Sequence, residues 1–204
     1  MRLGIFGGTF DPVHFGHLLL AEQCREQCRL NQVWFIPAGV PPHKVSRTIA
    51  AGRARAEMLD LAVAGHEAFR VDRREFDRTT PCFTVDTLRE IQAEDPTREL
   101  YFLMGGDSLF DFPTWREPRG VVELAQLAVV NRAAENRQAA TTHLVQILGP
   151  ELLSRIHHVA IPGMDLSSSD IRTRIREGRS VRYMIPRAVE CYIEQHHLYQ
   201  EGVE

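Results

Sequence analysis

The chain reads as an α/β protein with a doubly wound parallel sheet of the Rossmann type and a small helical part at its C-terminal end. Three observations carry that reading. Six short apolar runs recur along the 204 residues, helical patterns fall between them, and a chemically suggestive loop follows the carboxyl end of every run. Strands that alternate with helices favour parallel pairing through right-handed crossovers. In such sheets the ligand crevice lies outside the carboxyl ends of the strands, so all six loops are expected to converge on one place.

The elements follow in order. Leu3–Phe6 is the first strand, and Gly7-Gly8 turns the chain towards a helix that opens near His14 and His17 and continues through Leu18-Leu19-Leu20-Ala21 towards Cys28. Val33–Pro37 is the second strand. Arg53–Ala64, with Met58, Leu59, Leu61 and Ala62, is helical. Phe69–Asp72 is the third strand, and Val85–Ala93 carries Leu88 and Ile91 at helical spacing. Leu100–Met104 is the fourth strand, Val121–Gln126 a short helix, and Leu127–Asn131 and His158–Ile161 the last two strands. Ala133–Thr142 is polar and Ala-rich, a loop or a marginal exposed helix. Ser167-Ser168-Ser169-Asp170 opens a helix that runs to Glu177, with Gly178 as its stop. A second helix starts at Pro186, where proline suits the first turn, and places Val189, Tyr192 and Ile193 on one face. The last six residues or so are expected to fray. The expectation is one domain over 1–204, with a helical subregion at about 165–200.

Composition sets outer limits. A hydrophobic fraction of 44% and a charged fraction of 25% describe an ordinary globular chain. The formal net charge of −3 gives a nucleic-acid partner no support, so positive charge for an anionic substrate has to be local. No apolar stretch reaches transmembrane length, and the residues before Gly7 are too few for a signal peptide, so no membrane is expected. Cys24, Cys28, Cys82 and Cys191 contain no C-x-x-C pair. Cys24 and Cys28 share a helical face, which makes a metal site conceivable, but no further ligand lies close by in sequence. Buried thiols in a reducing cytoplasm are the expected state, and no metal site is assigned.

The loops carry the chemistry. Gly7, Gly8, Thr9 and Phe10 lead into a helix start, where backbone N–H groups and partial positive charge suit an anion. His14 and His17, three residues apart, can aim at one phosphate. Asp11-Pro12 reads as helix N-cap and first helical residue. Lys44, behind the stiff Pro41-Pro42, is a phosphate ligand or an ordinary surface lysine. Gly105 and Asp107 sit in a Gly-Gly-Asp-Ser turn, where an acid can accept from ribose hydroxyls or merely shape the turn. Ser167 with Asp170 matches a capping box, and the serine-rich start with Ser168 offers donors to an anion that Arg172 can reach as well. Arg176 reads as a solvated or intrahelical residue. Trp115, after Phe110, Phe112 and Pro113, is either core or the flat surface on which a heteroaromatic ring stacks. His157-His158 and His196-His197 read as structural or surface pairs.

Gly7-Gly8-Thr9-Phe10-Asp11-Pro12-Val13-His14-Phe15-Gly16-His17 matches the G-G-T-F-D-P-x-H-x-G-H signature of the nucleotidyltransferase superfamily over eleven positions. Ile36 to Lys44, Phe83 to Leu88, Met104 to Asp107 with Trp115, Ser168 to Arg172, and the run from Ile185 to Tyr199 extend the match over nearly the whole length. In these segments the chain resembles the bacterial nicotinate-nucleotide adenylyltransferases. Leu166 and Ser169 depart from the commoner isoleucine and threonine without removing a donor. The resemblance implies a nucleotidyltransferase fold and a transfer of NAD biosynthesis. The phosphate of nicotinate mononucleotide would attack the α-phosphorus of ATP, giving deamido-NAD and pyrophosphate, with Mg²⁺ assisting. It further implies that Gly8, Thr9, His14, His17, Ser168 and Arg172 hold the ATP phosphates and that Gly105 and Asp107 hold the adenosine portion. Thr84, Trp115 and Arg132 would hold the mononucleotide. The alternatives are a nicotinamide-mononucleotide or pantetheine-phosphate adenylyltransferase, or a non-catalytic nucleotide sensor of the same fold. Oligomeric state is left open, a homo-oligomer included.

Overall fold

The computed structural model describes residues 1–39, 49–76, 78, 82–131, 142, 145 and 149–200, without the side chains of residues 107, 110, 131, 151 and 152. Six strands form one sheet in the order β3-β2-β1-β4-β5-β6. They are β1 (Arg2–Gly8), β2 (Gln32–Pro37), β3 (Phe69–Val71), β4 (Glu99–Gly105), β5 (Ala125–Asn131) and β6 (Ile156–Ala160). Every pair is parallel, with Ile5 opposite both Trp34 and Phe102 at the centre. The order reverses between β1 and β4, which puts the topological switch point beside Gly8 and Gly105.

Period-two alternation decides which side of the sheet each residue serves. Leu3, Ile5, Trp34, Ile36, Leu100, Phe102, Met104, Leu127 and Val129 belong to one buried cluster. Phe6, Val33, Phe35, Tyr101, Leu103, Ala128 and Val130 belong to the other. The first layer is closed by α3 (Thr84–Glu94), α4 (Gly106–Asp111) and α5 (Pro118–Leu124), through residues such as Leu88, Leu109 and Val121. The second is closed by α1 (Phe15–Gln27), α2 (Gly52–Val63), α6 (Ser168–Arg176) and α7 (Arg187–Gln195), through Cys24, Leu59, Ile171 and Val189 among others. Strands buried on both faces account for the near-continuous apolar runs in the sequence.

Several boundaries differ from the sequence expectation. Asp11 is not a helix cap: α1 begins at Phe15 with His14 as its N-cap, and the Asp11 side chain is buried. Ala125 and Gln126 extend β5 instead of closing a helix, because they pair with Leu100 and Tyr101. The Gly-Gly-Asp-Ser segment is no free turn, since α4 starts at Gly106 directly behind β4. At α6 the sequence signals operate as expected: Ser167 Oγ accepts the Asp170 N–H at 3.1 Å. Gly178, at φ 67°, then ends the helix, its N–H on Ile175 O and that of Arg179 on Arg174 O. Thr79-Thr80-Pro81 and nearly all of 133–142 lie outside the described residues.

Gly4 lies where β1 runs between β2 and β4. A methyl group there would meet Leu30 Cδ1 at 2.8 Å, Val33 Cγ2 at 3.1 Å and Leu103 Cδ1 at 3.2 Å. Gly4→Ala is expected to cost about 1–3 kcal/mol through overpacking. Thermal unfolding measures it, and an unchanged midpoint would mean that the central layer is looser than these contacts imply.

Candidate active site

The loop from Thr9 to His14 joins β1 to α1 and is gripped by three side chains from two distant helices. Arg55 of α2 is 2% exposed. Its Nη1 donates to Thr9 O at 2.7 Å, its Nη2 to Ala38 O and Gly39 O at 2.7 and 3.1 Å, and its Nε to Ala50 O at 3.2 Å. Burial pulls its guanidinium below the ordinary arginine range, and the charge of Asp11 works against that pull. Arg172 of α6 donates from Nη1 to Asp11 O at 2.6 Å. Ser168 Oγ donates to Pro12 O at 2.9 Å. An unpaired carbonyl would repel a phosphate oxygen, so engaging these three removes acceptors from the crevice mouth. The same two bonds from α6 bring its N-terminus to the start of α1.

The Asp11 carboxylate lies under this loop. Its Oδ1 accepts the Tyr199 hydroxyl at 2.6 Å and the Ala50 N–H at 3.1 Å, while Oδ2 faces Arg172 Nη1 at 3.6 Å. Phe10 adopts φ 49°, an unusual backbone for a bulky residue, with its ring buried edge-on to Phe6 and His17. Its side chain is thus core, and only its backbone is left to approach a nucleotide.

His14 and His17 come together as the spacing predicts, with ring centroids 3.7 Å apart and stacked. Gly16 permits this, because a Cβ there would lie 2.9 Å from His14 Nδ1. His17 Nδ1 accepts the His14 backbone N–H at 3.2 Å. An accepting Nδ1 carries no proton, so the neutral ring bears its hydrogen on Nε2 and donates from there. Burial, then the nearby His14, holds the His17 pKa well below its usual value of 6.5. His17 is therefore a neutral donor, not a cation, and among the described site residues positive charge comes from Arg172 and, beneath the loop, from Arg55.

The serine residues are more committed than expected. Ser168 donates its hydroxyl to the loop and Ser167 Oγ accepts in the cap of its own helix, so this end offers the Ser167 hydroxyl proton and backbone amides of α6 with the partial positive charge of the helix start. Arg172 Nη2 also lies 3.4 Å from Ser169 Oγ. Gly7 and Gly8 close β1, and Gly105 closes β4 across the switch point. In the opposite layer, Thr84 begins α3, and Trp115 packs edge-on against Phe102 at 5.7 Å and tilted against Phe112 at 5.3 Å. Trp115 is only partly buried, which is compatible with both of its readings. Arg116 covers Phe83, next to Thr84, at 4.6 Å. Lys44 and Arg132 lie outside the described residues, and Asp107 is placed by its backbone alone, in the first turn of α4.

Sequence reasoning misses Arg55 and Tyr199. Arg55 has a signal: it stands three and four residues before Met58 and Leu59 and so lies on the buried face of α2. Tyr199 closes the matched run from Ile185, but no local pattern points to its partner, 188 residues away.

A Rossmann-type sheet with such a loop at its switch point defines the nucleotidyltransferase class, and residues 5–174 match the model of the family described as cytidylyltransferase-like. The chain is 45% identical over 199 residues to a probable nicotinate-nucleotide adenylyltransferase of Thermomicrobium roseum, covering 98% of this chain and 92% of that one. It is 46% identical over 200 residues to a protein of the same name from Thermus thermophilus, covering 98% of this chain and 100% of that one. The chain belongs to the nicotinate-nucleotide adenylyltransferases of the cytidylyltransferase-like family. A solved structure described as the Plasmodium falciparum nicotinic acid mononucleotide adenylyltransferase complexed with NaAD shares the fold, at TM-score 0.74, 18% identity and 97% coverage of each chain.

The state of His17 has a measurable consequence. Its folded pKa lies below its unfolded value of 6.5, so the unfolded chain takes up the proton first. Stability present above pH 6.5 is therefore lost as pH falls below it, by at most about 1.4 kcal/mol per pH unit for this one group. Denaturant unfolding of wild type and His17→Gln between pH 7.5 and 5.5 should show a shallower loss in the variant. Identical slopes would mean that His17 is not held neutral.

Proposed function

We propose that this protein joins ATP and nicotinate mononucleotide to give deamido-NAD and pyrophosphate, by direct in-line attack of the mononucleotide phosphate on the α-phosphorus. One observation carries the reading: the loop that leads from β1 into α1 is tied to the start of α6, far away in sequence, by Ser168 and Arg172 at the carboxyl edge of β1. In this reading His17 Nε2–H, the first amides of α6, Arg172 and the Gly7-Gly8-Thr9-Phe10 backbone hold the triphosphate, with His14 stacked behind His17. Gly105 and Asp107 take the adenosine portion. Thr84, Trp115 and Arg132 take the mononucleotide, and Lys44 contacts phosphate.

The attacking phosphate monoester is already ionised near neutral pH, so the chemistry needs alignment and charge neutralisation more than a strong base. Holding two reactants in line supplies roughly 7–11 kcal/mol. Each preorganised donor aimed at developing charge adds about 3–4 kcal/mol. A neutral imidazole suits this role, because its N–H strengthens towards the transition state without binding substrate phosphates too tightly.

ATP chemistry of this kind calls for a divalent cation, and we propose Mg²⁺. The donor set fits it as a passenger on the phosphates: an imidazole N–H, a guanidinium and helix amides all donate. Among the described residues no group of three His, Cys, Asp or Glu side chains is placed to hold an ion. The residues near His17 and Arg172 would hold it only through triphosphate oxygens and water. When bound, the ion draws negative charge from the departing pyrophosphate. Among the described residues no helix is long and apolar enough to cross a membrane. Cys24 and Cys28 are buried free thiols, in keeping with a reducing cytoplasm.

Pyrophosphate release with ATP, Mg²⁺ and each mononucleotide in turn tests the assignment. Release with nicotinate mononucleotide well above that with nicotinamide mononucleotide or pantetheine phosphate is expected, and release with none would refute it. His17→Ala should lower turnover by about 10²–10³ with the fold intact; near-normal rates in the folded variant would remove the phosphate role. Trp115→Ala should raise KM for the mononucleotide more than KM for ATP. Equal increases would make Trp115 a core residue.

A further inference from the structure

We infer that Tyr199, at the far end of the chain, is a positioning residue for ATP: through Asp11 it sets where the Arg172 guanidinium stands. The inference rests on the reading of Arg172 as a phosphate ligand. Asp11 is 2% exposed and offers Arg172 two acceptors at once. Its backbone carbonyl takes a hydrogen bond from Nη1 at 2.6 Å, while carboxylate Oδ2 stands 3.6 Å from the same nitrogen, beyond hydrogen-bond distance. Among the described residues, Oδ2 is buried without a hydrogen-bond donor.

A buried carboxylate oxygen so close to a guanidinium should close on it. What opposes closure is the other oxygen. Oδ1 is held by the Tyr199 hydroxyl at 2.6 Å and by the Ala50 N–H at 3.1 Å, and two donors on one oxygen fix the carboxylate plane. Burial, followed by the charge of Asp11, pushes the Tyr199 hydroxyl pKa upward, so it keeps its proton and remains a donor. The carboxylate is thus near enough to orient Arg172 and restrained from pairing with it fully. With the hydroxyl removed, Oδ1 keeps one weaker donor and the carboxylate can rotate onto Nη1. The guanidinium is then neutralised from behind and drawn away from the crevice.

The same segment provides a control. Tyr192 donates its hydroxyl to Glu57 Oε2 of α2 at 2.5 Å, a bond of the same chemistry that touches neither the loop nor Arg172. Steady-state kinetics and calorimetric ATP binding on the full chain separate the two tyrosines. Tyr199→Phe is expected to raise KM for ATP about tenfold, the order of a close pairwise coupling. KM for the mononucleotide should stay within about twofold, and Tyr192→Phe should change neither. In an Arg172→Ala background Tyr199→Phe should add less than about twofold, because the group through which it acts is gone. Equal rises in both KM values, or a full additional effect without Arg172, would overturn the inference and leave Tyr199 a structural residue. If Tyr199→Phe does not fold, Asp11→Asn is read by the same split between substrates, and a parallel rise in both KM values counts against the inference. Calorimetry keeps this separate from the functional reading. Wild-type protein that binds ATP but releases no pyrophosphate with any acceptor refutes the adenylyl transfer alone. A folded Tyr199→Phe variant that binds ATP as tightly as wild type refutes the positioning role alone.

Discussion

Between β1 and α1, the backbone carbonyls of Thr9, Asp11 and Pro12 each accept from a side chain belonging to a different or distant part of the chain: Arg55, Arg172 and Ser168. A loop that binds polyanions has an intrinsic difficulty, because every peptide unit that offers an N–H also carries a carbonyl. The solution here is to capture the carbonyls from within. Arg55 does so from the N-terminal turn of α2 and spans the end of β2 as well, so loops that leave adjacent strands share one guanidinium. Arg172 and Ser168 do so from α6, which brings a second helix start to the crevice. The arrangement needs both ends of the chain and the sheet order between them. Residues after β6 reach the loop after β1 because parallel connections return every strand's carboxyl end to one edge.

The electrostatics follow from that arrangement. His17 packs against Phe6 and Phe10 and stacks on His14, and the resulting desolvation keeps it uncharged. Its orientation is set by the His14 amide on Nδ1, so Nε2–H is the donor in the resting state. Among the described residues, positive charge is supplied by Arg172 with Asp11 behind it, and from beneath the loop by Arg55. A crevice of this kind distinguishes the transition state by hydrogen-bond direction instead of bulk attraction, consistent with a chain whose net charge is negative.

Much of this is legible in the sequence, and the limits have physical causes. The alternating runs in β1, β2, β4 and β5 reveal strands and layers, because strands covered on both faces must be apolar throughout. The Ser167–Asp170 cap and Gly178 mark the two ends of α6, because capping is local chemistry. The paired histidines and the serine-led helix stand out as a group. Asp11 misleads because an aspartate before a proline looks like a helix start, whereas its partner Tyr199 lies beyond any local pattern. The neutral state of His17 is hidden from the sequence because burial by Phe6 and Phe10 is a tertiary effect. The hydroxyls of Ser167 and Ser168 look free to face outward, although backbone groups close by claim them first. Boundaries move where pairing outweighs local preference, as at Ala125 and Gln126, which the ladder with β4 takes into β5.

The central claim is that a neutral His17, Arg172 and the start of α6 together form the seat of the triphosphate. A crystal structure of the protein with a non-hydrolysable ATP analogue tests it most directly. The account predicts a phosphate oxygen within about 3 Å of His17 Nε2, with amides of α6 on the same triphosphate and the carbonyls of Thr9, Asp11 and Pro12 still bonded inward. A triphosphate seated away from His17 and α6, with Nε2 facing water, would contradict it.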